Sequence, residues 1–272
     1  MGDNMKARGL TRVWMNATGL LHYLSCLLTL TVCGLAQAQT PIEHSAEWRL
    51  QIDFHVPDAA LAALLPAGWE PQIATAGAAK DANVRLIFVD RLEVSAPDGK
   101  PVGRGQSRLA YLAVPVRRQG SDEAGQMIVA GLTDQAADVP GAFGTLRLAT
   151  QVSMQRATDV DAAGVAHTRE DWLLLGETGE RLEIHARYER GVPRRGTTTT
   201  RFYSPQDPSQ VQVFKVESGI DIMRNATVPV RDRVSEMRYV ASGGRFSALF
   251  DGSERVLSID AFPWYDRLIL KP

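Results

Sequence analysis

From Trp48 to the end of the chain, turn signals recur roughly every ten to twenty residues, and no long 3.6-residue hydrophobic period develops between them. Such a chain has few ways to bury apolar surface other than by pairing strands. Trp48-Arg49-Leu50-Gln51-Ile52-Asp53-Phe54 alternates apolar and polar residues, the period of a half-buried strand. Asn83 to Val94 and Leu109 to Val116 are β-branched and aromatic runs, separated by Pro97-Asp98-Gly99, where proline sets one dihedral and glycine supplies a positive φ. Gln126 to Leu132, Leu148 to Arg156, Thr197 to Tyr203 and Val211 to Val216 extend the series, and Phe246 to Phe250 and Val256 to Ile259 close it. Trp172 to Leu175 and Arg181 to Tyr188, joined across Gly176 to Gly179, form a hairpin with Leu182, Ile184, Ala186 and Tyr188 on one face and Glu183, His185 and Arg187 on the other. The expected exception is a short helix, Ala59 to Leu65, capped by Asp58 and stopped by Pro66 and Gly68. The expected architecture is one mostly antiparallel β domain closed into a barrel or folded into a sandwich.

The first residues stand apart from this pattern. Lys6, Arg8 and Arg12 precede a largely apolar stretch from Leu20 to Leu35, and Ala36-Gln37-Ala38 has the small-x-small form of a signal-peptidase site. The expectation is a signal peptide over residues 1–38, cleaved before Gln39, with a periplasmic or secreted product. The apolar core, broken by His22 and Ser25, is short for a membrane-spanning helix. A lipoprotein alternative would use Cys33, although Val32 before it is bulkier than such sites usually take. Both cysteines, Cys26 and Cys33, lie in the leader, so residues 39–272 must be held by a core and not by disulfides.

Removing the leader takes away three cations and one anion and makes the net charge of −1 slightly more negative. A mildly acidic surface of this kind argues against nucleic acid as a partner. Gly103-Arg104-Gly105 lacks the third glycine of a dinucleotide fingerprint, Lys100 is followed by proline where a phosphate loop needs Ser or Thr, and no Gly-x-Ser-x-Gly elbow occurs. His44, His55, His167 and His185 are scattered singly, without the spacing of a metal site. No cofactor and no metal is expected; self-association into a homo-oligomer is left open.

Several pieces resemble the acetoacetate decarboxylase-like family: Leu64-Leu65-Pro66-Ala67-Gly68-Trp69, the Ala82 to Asp90 strand, Val114-Pro115-Val116, the bend from Pro140 to Ala149, and Phe250-Asp251-Gly252. The resemblance spans most of the exported chain. It implies a single α+β domain built round a closed antiparallel barrel whose interior holds a small oxo-acid, with Phe143, Leu146, Arg147 and Arg85 as ligand contacts. In that family the segment matching Gly144 to Ala149 carries two lysines, one forming a Schiff base with the ketone while the adjacent cation lowers its pKa; this enzyme is itself a standard example of that effect. Leu146 and Arg147 stand at those two positions here, and Leu109 is nearest the family's carboxylate. Arginine stays protonated and cannot serve as the amine nucleophile. The resemblance therefore implies a protein that binds a small apolar or oxo-acid ligand without the family's Schiff-base decarboxylation.

Two other readings stay in play. Lys215 lies within an apolar strand and would serve as a relocated nucleophile if desolvated. Glu183 and His185, on one strand face with Arg187, would form an acid–base pair with an anion anchor if they pointed inward. Either arrangement would make the protein a lyase or hydratase of small keto acids. The remaining alternative is a structural envelope protein with a filled interior.

Overall fold

In the computed structural model, which describes residues 39–138, 144–227 and 229–272, residues 39–272 form one compact unit. The leader and Phe143, with the rest of the Pro140 to Phe143 bend, lie outside the described residues. The alternating stretch at Trp48 is the middle of a sixteen-residue strand, β1 (Thr40–His55). Both its neighbours are antiparallel: β3 (Val84–Ser95) places Arg85 opposite Asp53, and β13 (Arg255–Lys271) places Asp260 opposite Gln51.

The other elements are α1 (Asp58–Ala62), β2 (Trp69–Pro71), β4 (Ser107–Arg118), β5 (Ala124–Thr133), β6 (Leu146–Val160), β7 (Ala166–Gly176), β8 (Arg181–Glu189), β9 (Arg194–Tyr203), β10 (Val211–Asn225), β11 (Arg231–Asp232) and β12 (Val234–Ser242). Pairing runs β5–β9–β10–β13–β1–β3–β4 and returns from β4 to β5, so seven strands form a ring. Strand β6 leaves that ring through a short parallel pairing with β5 and then runs antiparallel to β7, which pairs with β8 and β8 with β12, as a second layer. Among the described residues, helix is confined to α1 and a 3-10 turn at Ala136–Asp138, so the protein is mostly antiparallel sheet and the helical part of the α+β expectation is small.

Three local expectations are corrected. Asp58 is the first helical residue and makes no cap; its carboxylate accepts from Asn83 Nδ2 at 2.9 Å. Phe246 to Phe250 is a turn and not a strand, with Phe246 and Leu249 buried in the core. Val256 to Ile259 is only the start of β13, which absorbs a bulge at Glu47/Arg49 of its partner and continues for seventeen residues.

The main core fills the space between the two layers. Leu50, Ile52 and Phe54 of β1, Leu86 and Phe88 of β3, and Leu112 and Val114 of β4 pack with Trp172, Leu174, Leu182, Ile184 and Tyr188 of the second layer. Gly131 marks the tightest approach between ring and second layer. A Cβ there would fall on Leu146 and lie 2.7 Å from the Ala110 carbonyl oxygen. Phe54 is fully buried, edge-on to Tyr239 at 5.1 Å and to Phe250 at 5.2 Å. Phe54→Ala is expected to lower stability by about 3–5 kcal/mol, as large-to-small core changes do, read as the shift in urea-unfolding midpoint at unchanged slope.

Candidate functional site

A strand in a ring has a second face, and the pleat sends alternate residues to it. Arg49, Gln51 and Asp53 of β1, Arg85 and Ile87 of β3, and Tyr111 of β4 therefore face the ring interior, as do Phe214, Val216 and Ser218 of β10 and Asp260, Phe262 and Tyr265 of β13. They line a cavity of about 430 Å³, a size suited to a small molecule. Phe202 and Phe214 stack at 4.0 Å on one wall, and Phe262 meets Tyr265 edge-on at 5.6 Å on another. Ala74, Ala76, Ala78 and Ala79, from the loop between β2 and β3, complete the lining beside Thr198 and Thr200 of β9.

One end of the interior is built from buried charge. Glu47, 2% exposed, meets Arg49 Nη2 at 2.5 Å, Arg267 Nη2 at 2.8 Å and Arg91 Nε at 3.7 Å, and accepts from Ser45 Oγ at 2.6 Å. Glu43 pairs with Arg91 and, at 3.5 Å, with Arg267. Burial opposes ionisation of Glu47, yet Arg267, Arg49 and Arg91 together with the Ser45 hydroxyl hold its carboxyl at about 2. Arg49, Arg91 and Arg267 thus converge on Glu47, and Arg91 and Arg267 also reach Glu43. Burial, followed by the neighbouring Arg91 and Arg49 charges, pushes Arg267 below its ordinary value in spite of Glu47. Arg49 lines the cavity, its guanidinium lying 3.5 Å over the Tyr265 ring.

Further along the same wall stand two carboxyl groups, Asp53 at 1% and Asp260 at 4% exposure. The register of β1 against β13, with Asp53 opposite Ser258 and Asp260 opposite Gln51, sets them diagonally adjacent on one face. Gln51 Nε2 donates to Asp53 at 3.1 Å, Arg85 Nε donates to it at 3.1 Å, and Ser258 Oγ donates to Asp260 at 2.9 Å. Burial raises both pKa values, and the Asp53 charge helps push Asp260 to about 8. At neutral pH the pair accordingly keeps a proton, because two adjacent buried carboxylates cannot both ionise cheaply. The Arg85 terminal amino groups have no protein partner among the described residues.

No protein-family model and no curated protein matches the sequence. Solved structures do resemble it. MppR, an enduracididine biosynthesis enzyme, superposes in its complex with pyruvate with a TM-score of 0.51 at 18% identity, covering 86% of this chain and 91% of that one. MppR with HEPES buffer bound gives 0.51 at 16% identity, covering 88% and 89%. An acetoacetate decarboxylase-like enzyme from Sphingomonas wittichii RW1 gives 0.48 at 12% identity, covering 85% and 91%. The chain has an acetoacetate decarboxylase-like fold. At these identities the likeness is one of fold alone, and the site has to be judged on this chain's own side chains.

On this acetoacetate decarboxylase-like fold the sequence-expected residues are scattered. Leu146 is 5% exposed and belongs to the apolar cluster with Tyr111, Phe202 and Phe214 that faces the ring interior. Arg147, the next residue, is turned the other way by the pleat and pairs with Glu180 at 2.9 Å in a separate cleft. Arg85 lines the cavity. Lys215 is exposed, on the face of β10 opposite to Phe214 and Val216, so it lacks the desolvation that would make it a nucleophile. Glu183 and His185 line a depression on the outer face of the second layer, away from the ring. There Glu183 accepts from Arg181 Nε at 2.8 Å, while His185 is held by Asp171 through Nδ1 and lies 3.3 Å from Glu236 through Nε2. Among the described residues no cluster of His, Cys, Asp and Glu forms a metal site, and no helix is long and apolar enough to cross a membrane.

Arg49, Asp53, Asp260 and Glu47 were not singled out from sequence. The signal was present in the polar half of the Trp48 to Phe54 alternation, but periodicity alone cannot tell a solvent-facing polar face from one lining a cavity. Glu47→Gln removes the buried carboxylate on which Arg49, Arg91 and Arg267 converge, and a loss of about 3–5 kcal/mol is expected. Because the folded-state pKa of Glu47 is depressed, its contribution is complete above the ordinary value of 4.5 and is lost as pH falls through about 2. Urea unfolding between pH 2 and 6 should therefore show an acid-side loss in the native protein that is diminished in Glu47→Gln.

Proposed function

We propose that the ring of strands acts as a closed barrel whose interior binds a small oxo-acid, in an exported protein that does not carry out Schiff-base decarboxylation. The observation that carries this reading is the polar lining of the cavity, which offers Arg49 and Arg85 but no lysine among the described residues. Lys80, Lys100, Lys215 and Lys271 are all exposed. Arg49 at one end and the Arg85 amino groups, which have no protein partner among the described residues, supply charge-assisted donors for a carboxylate, and the aromatic walls take the carbon skeleton. A neighbour in fold, MppR, has been seen with pyruvate, which agrees in ligand class. Export rests on the leader pattern, and the absence of cysteine beyond Cys33 is compatible with it.

The test uses the mature protein with pyruvate and acetoacetate as probes. Calorimetry is expected to show reversible binding that Arg85→Gln weakens at least about tenfold, the scale of one lost charged hydrogen bond. Borohydride treatment with either probe, followed by intact-mass measurement, should leave the mass unchanged. A reduced adduct on any lysine contradicts the reading, as does equal binding by the variant. Expression with the native leader should yield a periplasmic product beginning at Gln39.

A further inference from the structure

We infer that Asp53 and Asp260 are a catalytic acid–base pair that enolises a 2-oxo acid anchored on Arg85. The inference rests on the oxo-acid reading of the cavity and goes beyond it, from binding to a reaction that needs no amine. Four observations converge. Both carboxyl groups line the cavity while being almost wholly buried. They stand diagonally adjacent across β1 and β13, so the charge of one opposes ionisation of the other. Each has its own support, Gln51 and Arg85 for Asp53 and Ser258 for Asp260, which distinguishes the two chemically. Finally, the residue that orients Asp53 through its Nε keeps its terminal amino groups for a ligand. A core aspartate pair of purely structural use would have no reason to stand in a cavity beside an unsaturated guanidinium.

The chemistry follows from the supports. Asp53, held as the carboxylate by Arg85 and Gln51, is the base; Asp260, which carries the proton, is the acid. With the substrate carboxylate on Arg85, the ketone oxygen lies two bonds and the C3 hydrogens three bonds from the anchored carboxylate carbon. Asp53 takes a proton from C3, the C–H electron pair becomes the C2–C3 double bond, and the ketone π pair takes the Asp260 proton. The products are the enol, protonated Asp53 and ionised Asp260, with charge unchanged; return of a solvent-exchanged proton to C3 regenerates the starting pair. The charged groups facing the pair are Arg85 from β3, which favours ionisation, and Asp221 from β10, which opposes it and is itself paired with Arg233. The active form carries one proton on the pair, so the rate falls on the alkaline side as that proton is lost, near pH 8.

The experiment follows deuterium entry at C3 of pyruvate and 2-oxobutyrate in D2O by proton NMR, with binding of the same probes measured in parallel by calorimetry. The native protein is expected to accelerate exchange over buffer, and Asp53→Asn and Asp260→Asn to lower the rate about a hundredfold or more, the usual scale for a lost general acid or base. Asp260→Asn should fold at least as well as the native protein, since a raised carboxyl pKa costs stability increasingly as pH climbs from the ordinary 3.8 toward 8 and the amide removes that cost. If a variant fails to fold, the alkaline limb of the native rate profile still decides: an apparent pKa near 8 supports the pair, and a flat profile overturns it. Binding without exchange overturns the catalytic pair and leaves the binding site standing. No binding of either probe overturns both.

Discussion

Closure of the strand pairing into a ring is the constraint on which the rest depends. Once β4 returns to β5, β1, β3 and β4 have one face against the second layer and the other against the ring interior. Leu50, Ile52 and Phe54 can fill the apolar side, so Arg49, Gln51 and Asp53 must go inside. Charge in that position needs partners, and the partners come from the adjoining strands: Arg91 and Arg85 from β3, Arg267 and Asp260 from β13. The site is thus a consequence of the strand pairing and not an addition to it.

The interior divides into two electrostatic regions. Around Glu47 the guanidinium groups of Arg49, Arg91 and Arg267 gather, and the cluster meets the cavity through Arg49. Around Asp53 and Asp260 there are more carboxyls than cations, and a proton makes up the difference. An anionic ligand complements the first region, and a carbonyl oxygen that accepts a hydrogen bond complements the second. A 2-oxo acid carries both groups on adjacent carbons. Leu146 belongs to the apolar cluster with Tyr111, Phe202 and Phe214, while the buried polar groups sit on β1, β3 and β13.

Much of the fold was legible because strands with one apolar face announce themselves. The hairpin of β7 and β8, with Leu182, Ile184, Ala186 and Tyr188 inward, was placed correctly from its alternation. Strand β12 was missed because Val234 and Ala241 are its only buried residues, too sparse a stripe to register. For the site, what misled was the single-strand view. Glu183, His185 and Arg187 look like a constellation along one strand, yet they face outward, Glu183 bonding Arg181 of its own strand while His185 and Arg187 both meet Glu236 of β12. Arg49, Asp53 and Asp260 look like ordinary polar positions, and only the register between β1 and β13 brings the two carboxyls together. Sequence shows which residues share a face; it takes the ring to show which face encloses a space.

The most direct test of the account is a crystal structure of the mature protein soaked with pyruvate. The account predicts ligand density inside the ring, with the carboxylate on Arg85 and the carbonyl toward the Asp53–Asp260 pair. Density on the outer depression beside His185, a covalent link to Lys215, or an interior that stays filled with water at saturating pyruvate would contradict it.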